Sequence, residues 1–501
     1  MAKMPAFTRR CLRFIASPLF FALILVLYVL QAGWIALTAR YPQPFDEQFH
    51  VGLIQLHAQQ WWPLITSQPP GTAALGAYLR DPSFLYHYLM SFPYRFIELF
   101  THDLTIQVLW LRAINIGLFV GFLMLVRQVL RRFSSASDGL INLSLFFFTL
   151  IPVVPMLGAE VNYDNLFICM VALALWWCLR LRESKTWNLR IILELLLICI
   201  FASMVKYAFL PIAMAITGYV IYLGFKRRQL RIWSQLRQIT RPWLVFYVVL
   251  LIVGGGLFTE RYAVNIVKYH TPIPECDQVL TIDDCQSYGP WARNYMLANM
   301  HETLTHHQVL FYPYQWLCRM MQEMTFTISS GFNTDGSVTY WQADSLPVIK
   351  DISWAVLTIG VGLLVFYGRR LAREPVLRLT LLLAGIYVLV LYVQNYNDYL
   401  HTTRVVAVHG RYLVAFVPVL FLAIAQALRE FLRSRAVRRI ASTEVKLAVL
   451  GVAMLVLITQ GGGVETFILR SQARWFWPQS QPAQRINADA QSLLKPLAIG
   501  E

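Results

Sequence analysis

Four side chains capable of chemistry crowd one short stretch, YPQPFDEQFHVGLIQLHAQQWW at 41–62, where Asp46, Glu47, His50 and His57 fall within twelve residues. A helix beginning at Asp46, after Pro44, would set Asp46, His50 and His57 within about 40° of one another on one polar stripe. Glu47 would lie roughly 100° to one side. Two carboxylates with imidazoles farther along the stripe suit two kinds of chemistry. They can hold a divalent cation, magnesium or manganese, through Asp46 and His50, or offer a general base to an acceptor hydroxyl. The same residues also fit a plain structural role, Asp46 capping a surface helix and Glu47 complementing its dipole. The two roles can coexist.

Other reactive clusters lie far away in the chain. GAEVNYDNLF brings Glu160, Asn162, Asp164 and Asn165 together, with Asp164 open to the same reading as a helix cap. Lys206 interrupts the apolar run MVKYAF, where a lysine either snorkels to lipid headgroups or meets a phosphate. Arg112 sits deep in an apolar segment and must find a partner, because an unpaired guanidinium there is costly. NYNDYLHTTRVVAVHGRYL at 395–413 gathers Asn397, Asp398, His401, Arg404, His409, Arg411 and Tyr412. Its arginines either pair with Asp398 or clamp a phosphate, a task that guanidinium geometry suits. Arg80-Asp81-Pro82 precedes an aromatic segment holding His87, whose ordinary reading is a packed ring. His301-Glu302 lacks the second histidine of a zinc helix, since position 305 is Thr.

The elements that must position these residues are membrane helices. With 57% hydrophobic and 14% charged residues in 501, the chain is too apolar for a soluble domain. Eleven spans can be drawn, at 14–38, 104–127, 139–157, 164–180, 190–205, 207–225, 243–259, 352–368, 377–394, 412–429 and 446–460. Several fall short of the ~20 residues of a straight span. With the N-terminus cytoplasmic, the inner connections are short and basic and the acidic residues gather outside, so the net charge of +16 follows from membrane orientation. Nucleic-acid binding is not needed to explain it.

The expectation is an all-α membrane protein with a polytopic core over 1–460 and a periplasmic tail over 461–501. Two large outer loops, 41–103 and 260–351, carry interfacial helices, and the reactive clusters all face the outer side. The first span lacks an A-x-A-like cleavage site and reads as a retained anchor. Five cysteines sit in or near apolar segments, whereas Cys276 and Cys285 share a polar outer loop where an oxidising compartment permits a disulfide.

Three motifs carry a resemblance: Pro44-x-Asp46-Glu47-x-x-His50, Asn162-Tyr163-Asp164-Asn165 and His409-Gly410-Arg411-Tyr412. In order and shared side they resemble the C-type superfamily of polytopic glycosyltransferases, which use polyprenyl-phosphate-linked sugars. More narrowly, the chain is similar to a family of bacterial multispan proteins grouped with that superfamily. The resemblance implies an enzyme of the bacterial inner (plasma) membrane that moves a sugar, with inversion, onto a glycan, lipid or protein acceptor in the periplasm. It implies Asp46 as base or metal ligand, with Glu47 beside it. Arg112, Lys206, Arg404, His409, Arg411 and Tyr412 would bind the phosphate, and His50, Asp81, His87 and Asp164 would serve the acceptor side. Two departures are visible: Phe45 splits the usual Pro-Asp-Glu, and Arg80-Asp81-Pro82 stands where a His-Pro-Pro-like motif is expected. The rival reading is a transporter or lipid flippase, which would place ionisable groups near mid-membrane on repeated, broken helices.

Overall fold

The computed structural model describes residues 5–133, 136–184, 188–227, 239–300, 302–326, 343–433 and 443–500. Among the described residues every extended regular element is helical, and one isolated bridge joins Ala39 to Phe476. Most of the run 329–344, one of the polar stretches of the second outer loop, lies outside the described residues, as does His301.

Among the described residues seven helices are long and apolar enough to cross a bilayer: Pro18–Thr38, Leu104–Leu130, Asp164–Glu183, Tyr207–Arg227, Arg241–Tyr269, Pro347–Leu371 and Pro375–Thr402. The other four expected spans fall on shorter helices. Leu189–Val205 and Thr443–Thr459 have 17 residues each and Val417–Leu432 has 16. The expected span 139–157 is broken at 150–152 into Asp138–Thr149 and Val153–Gly158, because Pro152 lacks the amide that would continue the ladder. The first span is also shorter than its apolar run suggested. Ser17 caps a new helix by accepting from the Phe20 amide at 3.2 Å, so Ala6–Ile15 forms a separate helix carrying Arg9, Arg10 and Arg13 beside exposed Phe7 and Phe14.

We label the helices that position the site α1 (Ala6–Ile15), α2 (Pro18–Thr38), α3 (Glu47–Ala58), α4 (Leu85–Glu98), α5 (Leu104–Leu130), α6 (Asp138–Thr149), α7 (Val153–Gly158), α8 (Asp164–Glu183), α9 (Leu189–Val205) and α10 (Leu210–Arg227). Helix α5 lies between α2 and α8, where Tyr28 stacks on Phe119 at 4.8 Å between ring centres and Phe122 and Phe148 close the cluster. By contrast, Ile252, Val365 and Phe366 on the helices at 241–269 and 347–371 are exposed, as a lipid-facing surface would be. The ends of α2 and α9, the starts of α5, α8 and α10 and the end of Pro375–Thr402 all belong to the side that the charge distribution puts outside. The candidate site is built from those ends.

Candidate functional site

Asp46 does not continue the helical stripe expected of it. Helix α3 starts at Glu47, and Asp46 occupies the cap position in a left-handed conformation, φ 74°, directly after Phe45 at φ 67°. Aspartate tolerates this region, but a bulky phenylalanine there is a true outlier, at a cost of about 1 to 3 kcal/mol. The strain is held by Asn162, whose Nδ2 donates to the Phe45 carbonyl at 2.8 Å. Asn162 Oδ1 meanwhile accepts from the Asp164 amide at 2.9 Å, capping α8 in place of Asp164 itself. Neither aspartate therefore uses its side chain as a cap. Both are turned toward cations.

Those cations come from distant segments. Arg411 Nη2 donates to Asp46 Oδ2 at 2.9 Å across 365 residues of sequence, and Arg411 Nε lies 3.6 Å from Asp164 Oδ2. Lys206 pairs with Asp164 Oδ1, its ammonium resting 4.6 Å and 4.5 Å from the ring centres of Tyr163 and Tyr412. The Arg411 guanidinium lies 4.7 Å from the Phe45 ring centre. Arg411 is 3% exposed, and its Nε and Nη1 have no hydrogen-bond acceptor among the described residues. Half of the Asp46 side chain faces solvent. Burial opposes its charge, but Arg411, followed by His409 and Arg293, holds the carboxyl below its usual range. The Arg411 charge likewise survives burial because Tyr412, Asp46, Asp164 and Glu160 surround it.

Gly410 explains how Arg411 arrives there. The turn Gly410–Leu413 presses on the helix His306–Met324, and a Cβ at position 410 would collide with the Met320 carbonyl and Met324. That helix is anchored in turn on Pro375–Thr402 by Tyr312 stacked on Tyr399 and by Trp316 donating to Asn395 at 3.0 Å. His409, less than a third exposed, lies with Nδ1 3.5 Å from Glu323. Lys206 is positioned from another direction. Ser83 Oγ accepts from the Tyr207 amide at 3.1 Å, and Asp81 holds Ser83 by accepting from its amide at 2.8 Å.

Glu47 and Arg112 lie elsewhere. They form a sealed two-pronged pair at 2.8 and 2.7 Å, both side chains fully buried. Arg112 also donates to the carbonyls of Ala36 and Ala39, and Glu47 accepts from the amides of Gln43 and Val161. This pair ties α2, α3, α5 and the 159–163 turn together, and no oxygen of Glu47 is left over for an acceptor. Beside it Glu160 is buried with its carboxyl pushed well up by burial and by Glu47, and Asn115, Asn165 and Tyr86 complete a hydrogen-bonded floor.

His50 is buried, not on a solvated stripe. Its Nδ1 lies 2.9 Å from His87 Nε2 and the rings stack at 5.2 Å, so the side chain it meets is His87 and not Asp46. Among the described residues no three His, Cys, Asp or Glu side chains converge as a metal set. Both nearest carboxylates are engaged by Arg411 and Lys206, a donor set that does not fit a bound divalent ion. Arg404 pairs with Glu302 on the exposed surface. Cys276 and Cys285 form a disulfide, and the Tyr288 ring from the same loop meets Phe49 edge-on.

Sequence reasoning passed over Arg293, which lies close enough to Asp46 to depress its carboxyl and is itself lowered, first by burial. It also passed over Tyr163 as a cradle for Lys206. Arg293 lies in the helix Gly289–Ala298 of the second outer loop, and its signal in the sequence was another outer arginine running against the orientation rule. No protein-family model matches the chain, and no curated protein is significantly similar to it.

Proposed function

We propose that this chain is a glycosyltransferase of the bacterial inner membrane that moves a sugar from a polyprenyl phosphate to a periplasmic or cell-envelope acceptor. The observation that carries the reading is the Arg411 guanidinium, buried and cationic with Nε turned to Asp164 and Nη1 lacking an acceptor among the described residues, beside a half-exposed carboxylate at the ends of membrane helices. A prenyl-phosphate donor keeps its tail in lipid while its phosphate sits at such helix ends. Arg411 and Arg293 meet the phosphate oxygens, and Lys206 adds a third positive charge a little deeper.

In the reaction the acceptor oxygen bonds to the anomeric carbon as the bond from that carbon to the phosphate oxygen breaks. The bonding electrons leave with the phosphate, whose added charge is stabilised by the fixed cations and needs no general acid. The acceptor hydroxyl proton passes to Asp46. With its carboxyl held ionised, Asp46 is a weak base, so it takes the proton late, when bonding to carbon has made the hydroxyl acidic. Attack opposite the leaving phosphate inverts the sugar carbon. No step requires a metal.

Lys206 and Arg411 balance Asp164 and Asp46, and Arg293, which feels Asp46 and then Asp398, is a third cation close to the pocket. The test is transfer by purified protein from a polyprenyl-phosphate sugar, comparing wild type with Asp46→Asn, which keeps shape and removes the base. The reading expects transfer by wild type and a loss of about 10²-fold or more in the variant. Transfer at the wild-type rate by Asp46→Asn would overturn the assignment of the base.

A further inference from the structure

A second polar site lies at the opposite end of the helix that leads to Arg411. Helix Pro375–Thr402 has 28 residues, about 42 Å of rise, and its first turn faces the last turns of Pro347–Leu371 and Val417–Leu432. A cleft of about 380 Å³ opens there, lined by Arg370, Arg373, Glu374, Gln426, Arg429 and Glu430 among others. Gln426 is 1% exposed, yet neither its Nε2 nor its Oε1 has a hydrogen-bond partner among the described residues. Leaving both ends of a buried amide unmet is costly, and a ligand is one way to meet them.

The lining selects the ligand. Three arginines outnumber two carboxylates, and both carboxylates are occupied. Glu374 accepts from the Val376 amide at 3.5 Å, and Glu430 lies 3.7 Å from Arg370 and 3.9 Å from Arg433. The surplus positive charge fits a phosphate. The amide adds a second requirement, because its NH2 needs an acceptor and its carbonyl needs a donor. A bare phosphate dianion offers acceptors alone.

We propose that this cleft binds a phosphate ester carrying a neighbouring hydroxyl, with Gln426 donating to a phosphate oxygen and accepting from the hydroxyl while the arginines neutralise the charge. A glycerol phosphate group has both features, whether it belongs to a phosphatidylglycerol headgroup in the leaflet at this end or to a soluble glycerol phosphate. The site is separate from the Asp46 and Arg411 cluster and does not depend on the sugar-transfer reading.

Native mass spectrometry of the full-length protein in detergent tests this with dioleoyl-phosphatidylglycerol and dioleoyl-phosphatidylcholine as lipid probes and glycerol 3-phosphate as the soluble one. The proposal expects selective retention of phosphatidylglycerol or direct binding of glycerol 3-phosphate. Displacement of the lipid by glycerol 3-phosphate would assign the site to the soluble ester, and resistance to displacement would assign it to the headgroup. Affinity falls about tenfold in Gln426→Leu and in Arg373→Ala, whose exposed side chain can be removed without disturbing packing. Arg369→Ala removes an exposed arginine of the same helix end that does not line the cleft, and leaves affinity unchanged. Equal retention of both lipids without glycerol 3-phosphate binding, or an equal loss in Arg369→Ala, would overturn the proposal.

Discussion

Two adjacent carboxylates, Asp46 and Glu47, each pair with an arginine far away in sequence, and the two pairs have opposite characters. Glu47 and Arg112 are fully buried, bonded through both prongs, and surrounded by backbone groups that take up the remaining valences. Asp46 and Arg411 share one hydrogen bond, with half of the carboxylate open and the guanidinium Nη1 lacking an acceptor among the described residues. The first pair resembles a rivet and the second a socket. Chemistry needs groups whose bonding capacity is not already consumed, so of two neighbouring acids the one with fewer bonds is the candidate for catalysis.

This contrast can be broken most severely at Arg112. Arg112→Ala strands a buried carboxylate, and loss of one partner from such a pair costs about 3 to 5 kcal/mol. The expected outcome is poor recovery of folded protein and a sharply lowered melting temperature in detergent. Asp46→Asn, by contrast, melts closer to wild type than Arg112→Ala, because the amide oxygen can still accept from Arg411 and Asp164 stays beside the guanidinium. Equal destabilisation by the two substitutions, read by the same thermal melt, would erase the distinction between the pairs.

A finer probe is Asn162, which touches the socket through backbone alone. Asn162→Ala frees the strained Phe45 carbonyl and the α8 amide, so Asp46 is no longer held at its angle. The expected result is a fall in transfer of about tenfold with a smaller loss of stability, since misplacing a reacting group by about 1 Å costs more rate than fold. A rate loss no larger than that of a nearby surface substitution would count against backbone strain as the device that aims Asp46.

The smallest effect concerns pH and the histidines packed behind the socket. Burial, with Arg261 and Arg95 nearby, lowers His57 from 6.5 to about 4. The unfolded chain therefore binds this proton first as pH falls, so the stabilisation is complete above about 6.5 and is lost progressively toward 4. His50 and His87 are shifted in the same direction, chiefly by burial. The melting temperature should decline as pH is lowered through that window, and His57→Gln should make the decline shallower. A flat profile in wild type would show that these imidazoles are not held neutral.

Much of this arrangement was legible from residue types. Ionisable groups at the ends of apolar segments are expensive, so Asp164, Lys206 and Arg411 stood out, and the motif order placed them on one side with Asp46. What could not be read was the division of labour between residues 46 and 47. That depends on the backbone reversal at Phe45 and on which carboxylate Arg112 meets, neither of which has a local pattern. The polar stripe through His50 and His57 failed for a related reason: helical spacing fixes which residues share a face, but not whether the face meets water or, as here, α4, whose His87 meets His50 and whose Arg95 donates to the His57 carbonyl. Span lengths were blurred wherever a proline or cap interrupts an apolar run, as at Ser17 and Pro152.

The most direct measurement is mass spectrometry of the lipids that copurify with wild type and with Arg411→Ala from bacterial membranes. Polyprenyl phosphate species bound to wild type and depleted in the variant are the predicted result. Their absence from wild type, or equal amounts on both proteins, would contradict the claim that Arg411 receives a lipid-borne phosphate.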